Sequence, residues 1–174
     1  MQVQLILSVL SDDRPGVVSS VANAVSLNGG NWLDCRLMRL AGKFTGVICV
    51  AVDAQRRADL LQNLADLASA GIRVSIDEAT SDAESQNALG EFTLVGADRT
   101  GLISEISRSF SERGINVVEL ATERTSMPYS GEPLFSAEGI VQLPQGFEPA
   151  AMEEMLERIA NDLGMDFTFA QMES

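Results

Sequence analysis

Over residues 2–10, apolar and polar positions alternate with a period of two, which predicts a half-buried strand. The period then changes: Val17, Val18, Val21, Ala24 and Val25 fall on one helical stripe. Asp12 and Asp13 stand ahead of that stripe as candidate N-caps, with Pro15 near the first turn, where a missing N–H costs nothing. Asn28-Gly29-Gly30 ends the stripe, since glycine takes the left-handed terminal conformation without strain. Residues 32–40 and 43–52 read as two strands joined by a tight turn at Ala41-Gly42. Residues 54–70 predict a second helix with Leu60, Leu61, Leu64, Leu67 and Ala68 inward. Gly71 closes it, and Ile72, Val74 and Ile76 alternate along a last strand.

The pattern then recurs. Asp13-Arg14-Pro15-Gly16-Val17-Val18-Ser19 lies 85 residues before Asp98-Arg99-Thr100-Gly101-Leu102-Ile103-Ser104. The register holds to Gly29-Gly30-Asn31 against Gly114-Ile115-Asn116, then breaks around residues 127–133. It recovers at Gly71-Ile72 against Gly164-Met165, now 93 apart. The second copy repeats the elements: strand 92–96, a helix striped by Leu102, Ile103, Ile106 and Phe110, and strands 115–125 and 134–143. A helix over 149–163 follows, with Met152, Met155, Leu156 and Ile159 inward, and then strand 166–171. The expected fold is α+β: two ferredoxin-like βαββαβ units, each an antiparallel four-stranded sheet with both helices on one face. The expected boundaries are 1–80 and 90–174, joined by a small, polar linker at 81–89.

Charge narrows the function. Lys and Arg number 12, Asp and Glu 25, for a net charge of −13. Residues 88–174 hold 15 of the acids and 5 of the bases, so the acidity is concentrated in the second copy. Direct nucleic-acid binding needs clustered positive charge and is not expected. The chain has no histidine, which removes Ser-His-Asp and Cys-His catalysis and histidine-ligated zinc. Cys35 and Cys49 match no metal or redox spacing and read as buried thiols of a reducing compartment. The N-terminus lacks the basic start of a signal peptide, and no apolar run approaches a membrane span. The expectation is a cytoplasmic protein with no metal, no cofactor and no membrane partner.

Two elements carry candidate chemistry. Asp-Arg-x-Gly joins the first strand to the first helix in both copies. A glycine there lets backbone approach a ligand, and the helix N-terminus offers free N–H groups suited to a carboxylate. A capped helix start explains the same residues structurally. Gly-x-Asn stands at the helix-to-strand turn, where the asparagine amide offers donor and acceptor to an amino acid. No phosphate loop or activated nucleophile accompanies them, and Lys43 reads as a solvent-facing turn residue.

The element order, the Asp-Arg-Pro-Gly and Asp-Arg-Thr-Gly loops and the Gly-Ile-Asn turn together resemble the ACT domain family of amino-acid-sensing modules. Two copies filling the chain, with an insertion over residues 127–135 of the second, look like the glycine cleavage system transcriptional repressor group within it. The resemblance implies ligands bound where domains meet, between the loop of one copy and the Gly-x-Asn region of another. Carried over, the ligand-binding residues are Asp13, Arg14, Gly16, Gly30 and Asn31, and Asp98, Arg99, Gly101, Ile115 and Asn116. Ile115 in place of Gly30 narrows one pocket in this reading. The resemblance implies glycine or a similar amino acid as effector. It also implies a non-enzymatic repressor of glycine cleavage genes that grips a DNA-binding activator protein. The alternative is an allosteric module for a separate amino-acid or one-carbon metabolic enzyme, or an assembly platform that has lost its ligand. Exposed sheet edges favour a homodimer. The 127–133 insertion reads either as a plain loop or as a lid or partner contact.

Overall fold

The computed structural model describes residues 1–80, 88–127, 130–146 and 149–172. The chain divides into two compact units, Met1–Asp82 and Ala83–Ser174. Most of the expected linker, residues 81–87, lies outside the described residues, as do Pro128 and Tyr129 of the insertion and the side chain of Met152.

The first unit runs β1 (Gln2–Asp12), α1 (Val17–Leu27), β2 (Asn31–Leu40), β3 (Lys43–Asp53), α2 (Arg57–Asp66) and β4 (Arg73–Glu78). The second runs β5 (Leu89–Ala97), α3 (Leu102–Ser111), β6 (Asn116–Ser126), β7 (Pro133–Gln142), α4 (Pro149–Leu163) and β8 (Met165–Gln171). The sheets are ordered β2-β3-β1-β4 and β6-β7-β5-β8, with every pairing antiparallel. Both units are therefore βαββαβ ferredoxin-like folds.

Alternation builds each core. Along β1, Leu5, Leu7 and Val9 are buried and join Val17, Val21, Ala24 and Val25 of α1 and Leu60 and Leu64 of α2 in one cluster. Both helices thus cover one face of the sheet, while Ile6, Ser8 and Leu10 look to the other. In the second unit, Phe92 and Leu94 meet Leu102, Ile106, Phe110, Leu156 and Ile159 in the same way. Phe92 and Phe110 pack edge to face, with centroids 5.3 Å apart.

The helix starts differ from expectation. Neither Asp12 nor Asp13 caps α1: β1 continues to Asp12, whose carboxylate pairs with Lys43 of β3. Lys43 is thus a strand residue with an ionic partner rather than part of the turn. The residue ahead of Val17 is Gly16, at φ 99, and ahead of Leu102 it is Gly101, at φ 96. A side chain is rarely held at such angles, so the strand-to-helix corner itself demands glycine. Val18, Ile103 and Ala68 fall on exposed faces rather than in the cores. The second helix is shorter than its pattern, ending at Asp66 and tightening to a 3₁₀ turn over Leu67–Ala70.

Helices α1 and α3 end alike. The Gly29 and Gly30 amides donate to Ser26 and Val25 carbonyls at 2.9 Å, and those of Gly114 and Ile115 donate to Ser111 and Phe110 at 3.1 and 3.0 Å. This is the Schellman arrangement, in which an apolar residue after the glycine packs back on the last turn. Ile115 does so, buried in the core beside Phe110. It therefore does not narrow a surface pocket, because its side chain turns inward. Each sheet has a bulge at the same repeat position, Trp32/Asp34 in β2 and Val117/Glu119 in β6, which leaves Leu33 and Val118 exposed.

Trp32, the chain's only tryptophan, packs partly buried against the first core. Leu64→Ala is expected to cost about 2–5 kcal/mol. The check is a lowered urea midpoint of the Trp32 fluorescence transition at unchanged slope.

Candidate functional site

The two candidate elements lie at opposite ends of a helix. Asp13–Gly16 follows the C-terminal end of β1, α1 runs back for 11 residues, and Asn31 begins β2. At 1.5 Å per residue, that helix separates them by about 16 Å. Asn31 is exposed and pairs with Ala51, and Asn116 is exposed and pairs with Gln142. The structure does not bring loop and turn together within a unit.

The loops are pinned identically at their entrance. The Asp13 amide donates to the Gly42 carbonyl at 3.1 Å, and the Asp98 amide to that of Pro133 at 3.0 Å. Both carboxylates meet an arginine of the edge strand beyond the adjacent one: Asp13 with Arg39 of β2 at 3.5 Å and Asp98 with Arg124 of β6 at 2.6 Å. Arg39 and Arg124 are 85 apart, as are Asp13 and Asp98. Sequence reasoning missed this pair. Its signal was the repeat register, which continues to Arg39 and Arg124, eight residues beyond the Gly-x-Asn turn where it was last followed.

The loop arginines diverge. Arg14 donates from Nη2 to the Ala70 carbonyl at the end of the 3₁₀ turn. Arg99 instead forms a fork with Glu105 of α3, Nη1 to Oε1 and Nη2 to Oε2, both at 2.7 Å. These charge-assisted bonds from Arg99 hold the Glu105 carboxyl below its ordinary range and raise the Arg99 pKa. The bond from Lys43 lowers Asp12 likewise.

A depression of about 240 Å³ lies over the first loop, lined by Asp13, Arg14, Pro15, Gly16, Val17, Val18, Ser19 and Phe44. Within it α1 presents its first turn. The Ser20 amide is the first to bond inside the helix, to the Gly16 carbonyl at 2.9 Å, so the preceding N–H groups are not used by the helix itself. Gly30 is closely packed: a Cβ there would lie 2.8 Å from Val25 Cγ1, so its glycine serves the helix end.

Roomier depressions lie on the uncovered sheet faces, about 520 Å³ around Ile6, Arg36 and Cys49 and about 360 Å³ around Glu91, Glu119 and Glu138. None of the loop residues lines either of them. Cys49 pairs with Asp34 and Cys35 with Ile48, which puts the two thiols on opposite faces, half-buried rather than buried. Among the described residues, no group of His, Cys, Asp or Glu is arranged to hold a metal, and no helix is long and apolar enough to cross a membrane. The second unit's uncovered face carries Glu91, Glu119, Glu123, Glu138 and Asp166, all exposed. The corresponding face of the first unit mixes Asp34 and Asp77 with Arg36 and Arg73.

Residues 3–77 match the family model described as ACT domain. The first unit therefore matches the ACT domain family model, and the second unit repeats the same topology. Among solved structures, the chain is similar to an unknown protein from Galdieria sulphuraria, at 22% identity and a TM-score of 0.80 over 99% of this chain and 100% of that one. It is also similar to a "putative glycine cleavage system transcriptional repressor", at 16% identity and a TM-score of 0.75 over 100% and 99%. At these identities the likeness is one of fold. No curated protein matches the chain.

The Arg99–Glu105 fork has a titration signature. With the folded-state pKa of Glu105 below its unfolded value, the stabilisation is fully present above the unfolded value and fades as pH falls through the folded one. The Glu105 carboxyl, followed by ¹³C NMR, is expected to titrate below the ordinary glutamate range, and in Arg99→Ala to move up toward it.

Proposed function

We propose that the chain is a non-catalytic, amino-acid-sensing regulator that acts through contact with another protein. The observation that carries this reading is the duplicated separation of loop and turn across α1 and α3. In this reading loop and turn are the two halves of an amino-acid site that a second copy of the chain completes, which ties ligand binding to self-association. The free N–H groups of α1, with Arg14, suit a carboxylate. Asn31 of the completing unit offers its amide oxygen to the ammonium. A ligand that bridges two copies of the chain favours their association, and so shifts a population that a partner protein can read.

The partner is a DNA-binding activator protein in this reading, and the effect is repression of glycine cleavage genes in the cytoplasm, with the chain acting as a homodimer. Support comes from the fold shared along the whole chain with the structure of that description. The net charge of −13 argues against the chain gripping DNA itself. The acidic sheet face of the second unit suits a basic protein surface.

Thermal unfolding in the presence of glycine or L-serine tests the sensing. Ligand at about 100 times its dissociation constant adds roughly 2.7 kcal/mol, a rise of several degrees. The combined change Arg14→Ala and Asn31→Ala is expected to abolish the rise while the unliganded Tm moves by under about 2 °C. The absence of a rise with either amino acid in the wild-type chain would overturn the sensing function.

A further inference from the structure

The two units place different residues at one position of one helix. Glu105 is the fourth residue of α3, and its counterpart 85 positions earlier is Ser20, the fourth of α1. Both positions are half-buried. Glu105 folds back toward its helix start. Its Oε1 lies 3.7 Å from where a Cβ on Gly101 would stand, and both its oxygens take bonds from Arg99. A carboxylate therefore stands over the left-handed glycine, gripped by the loop arginine, at the mouth of α3. In the first unit the nearest group to the equivalent point over Gly16 is the small hydroxyl of Ser19, at 4.0 Å. There the depression lined by Asp13, Arg14 and Gly16 lies over the loop.

The geometry points to Glu105 as a resident carboxylate that fills the second unit's loop, leaving the first unit's loop as the receptor for the carboxylate of a free amino acid. The inference rests on the sensing function proposed above and assigns it to one loop of the two. The second unit serves as an internal comparison: it shows the repeat-equivalent arginine and glycine holding a carboxylate. The first unit offers the same arginine and glycine without an acid at the fourth helical position. Arg14 keeps donors beyond the one bonded to Ala70, because a guanidinium carries five N–H groups. An internal carboxylate is held at the effective concentration of its own chain, and a free carboxylate must exceed that concentration to displace it.

Isothermal titration of the full chain with glycine, L-serine and acetate counts the sites. The wild-type chain is expected to take one molecule per chain. Glu105→Ser, which gives the second loop the residue of the first, is expected to double that to two. Ser20→Glu, which gives the first loop its own acid, is expected to reduce it to none. Near-UV circular dichroism checks that both variants fold, and each is the native residue of the other unit. One molecule per chain in both wild type and Glu105→Ser would overturn the role of Glu105 and leave the sensing function standing. Two in the wild type would do the same. Binding of no probe to the wild type or to either variant would overturn the sensing function itself.

Discussion

Each unit depends on a sheet that is covered on one side only. The central strands β1 and β5 pair on both edges, so their backbone groups are satisfied in the sheet and their alternate side chains decide what packs where. Leu5, Leu7 and Val9, with Phe92 and Leu94 as their counterparts, commit one face to the helices. Once both helices lie on that face, the strand-to-helix corners and the helix-to-strand turns must fall at opposite ends of the sheet. The separation of the two candidate ligand elements is thus a consequence of the topology. The exposed opposite face has the same origin, and the units have used it differently, one with mixed charge and one with acids.

The corners are the second constraint. Four residues connect β1 to α1, and the chain reverses by placing Gly16 at φ 99. The same corner returns at Gly101. The residues in front of that glycine are held by the sheet, through the aspartate amide and the Asp–Arg pair, so the loop arrives at the helix mouth already fixed. Preorganisation of this kind lowers the ordering cost of taking a ligand. An Arg whose partner is a backbone carbonyl in one copy and a glutamate in the other then makes two chemically unequal mouths from one fold.

Much of this was legible in the residues. Period-two alternation located the strands to within a few positions, and glycines located the helix ends, because both signals are local. What escaped was set by tertiary context. Asp12 and Asp13 resemble N-caps, but the hairpin turned Asp12 into a strand residue opposite Lys43. Val18 and Ile103 continue apolar stripes that are wider than the face the sheet can cover. Ile115 read as a pocket residue because its place beside a candidate asparagine drew attention from the helix-end rule that turns it inward. Arg39 and Arg124 escaped because their meaning lies in a contact 26 residues away in sequence. Glu105 escaped because an acid in a first helical turn is ordinary, and only the fork with Arg99 makes it particular.

The two hairpins differ in a way that bears on how the chain acquires its shape. Ala41 and Gly42, at φ 48 and 77, close β2 onto β3 in a two-residue turn whose twist matches the strands. In the second unit residues 127–132 separate β6 from β7. A loop's closure entropy grows by about 0.6 kcal/mol for each doubling of its length. Hairpins form within microseconds, and the shorter connection needs the smaller conformational search. A chain made of one duplicated fold is at risk of pairing strands between copies during synthesis. Because hairpins form far faster than a ribosome adds residues, the order of synthesis gives the first unit's strands time to pair before their counterparts emerge.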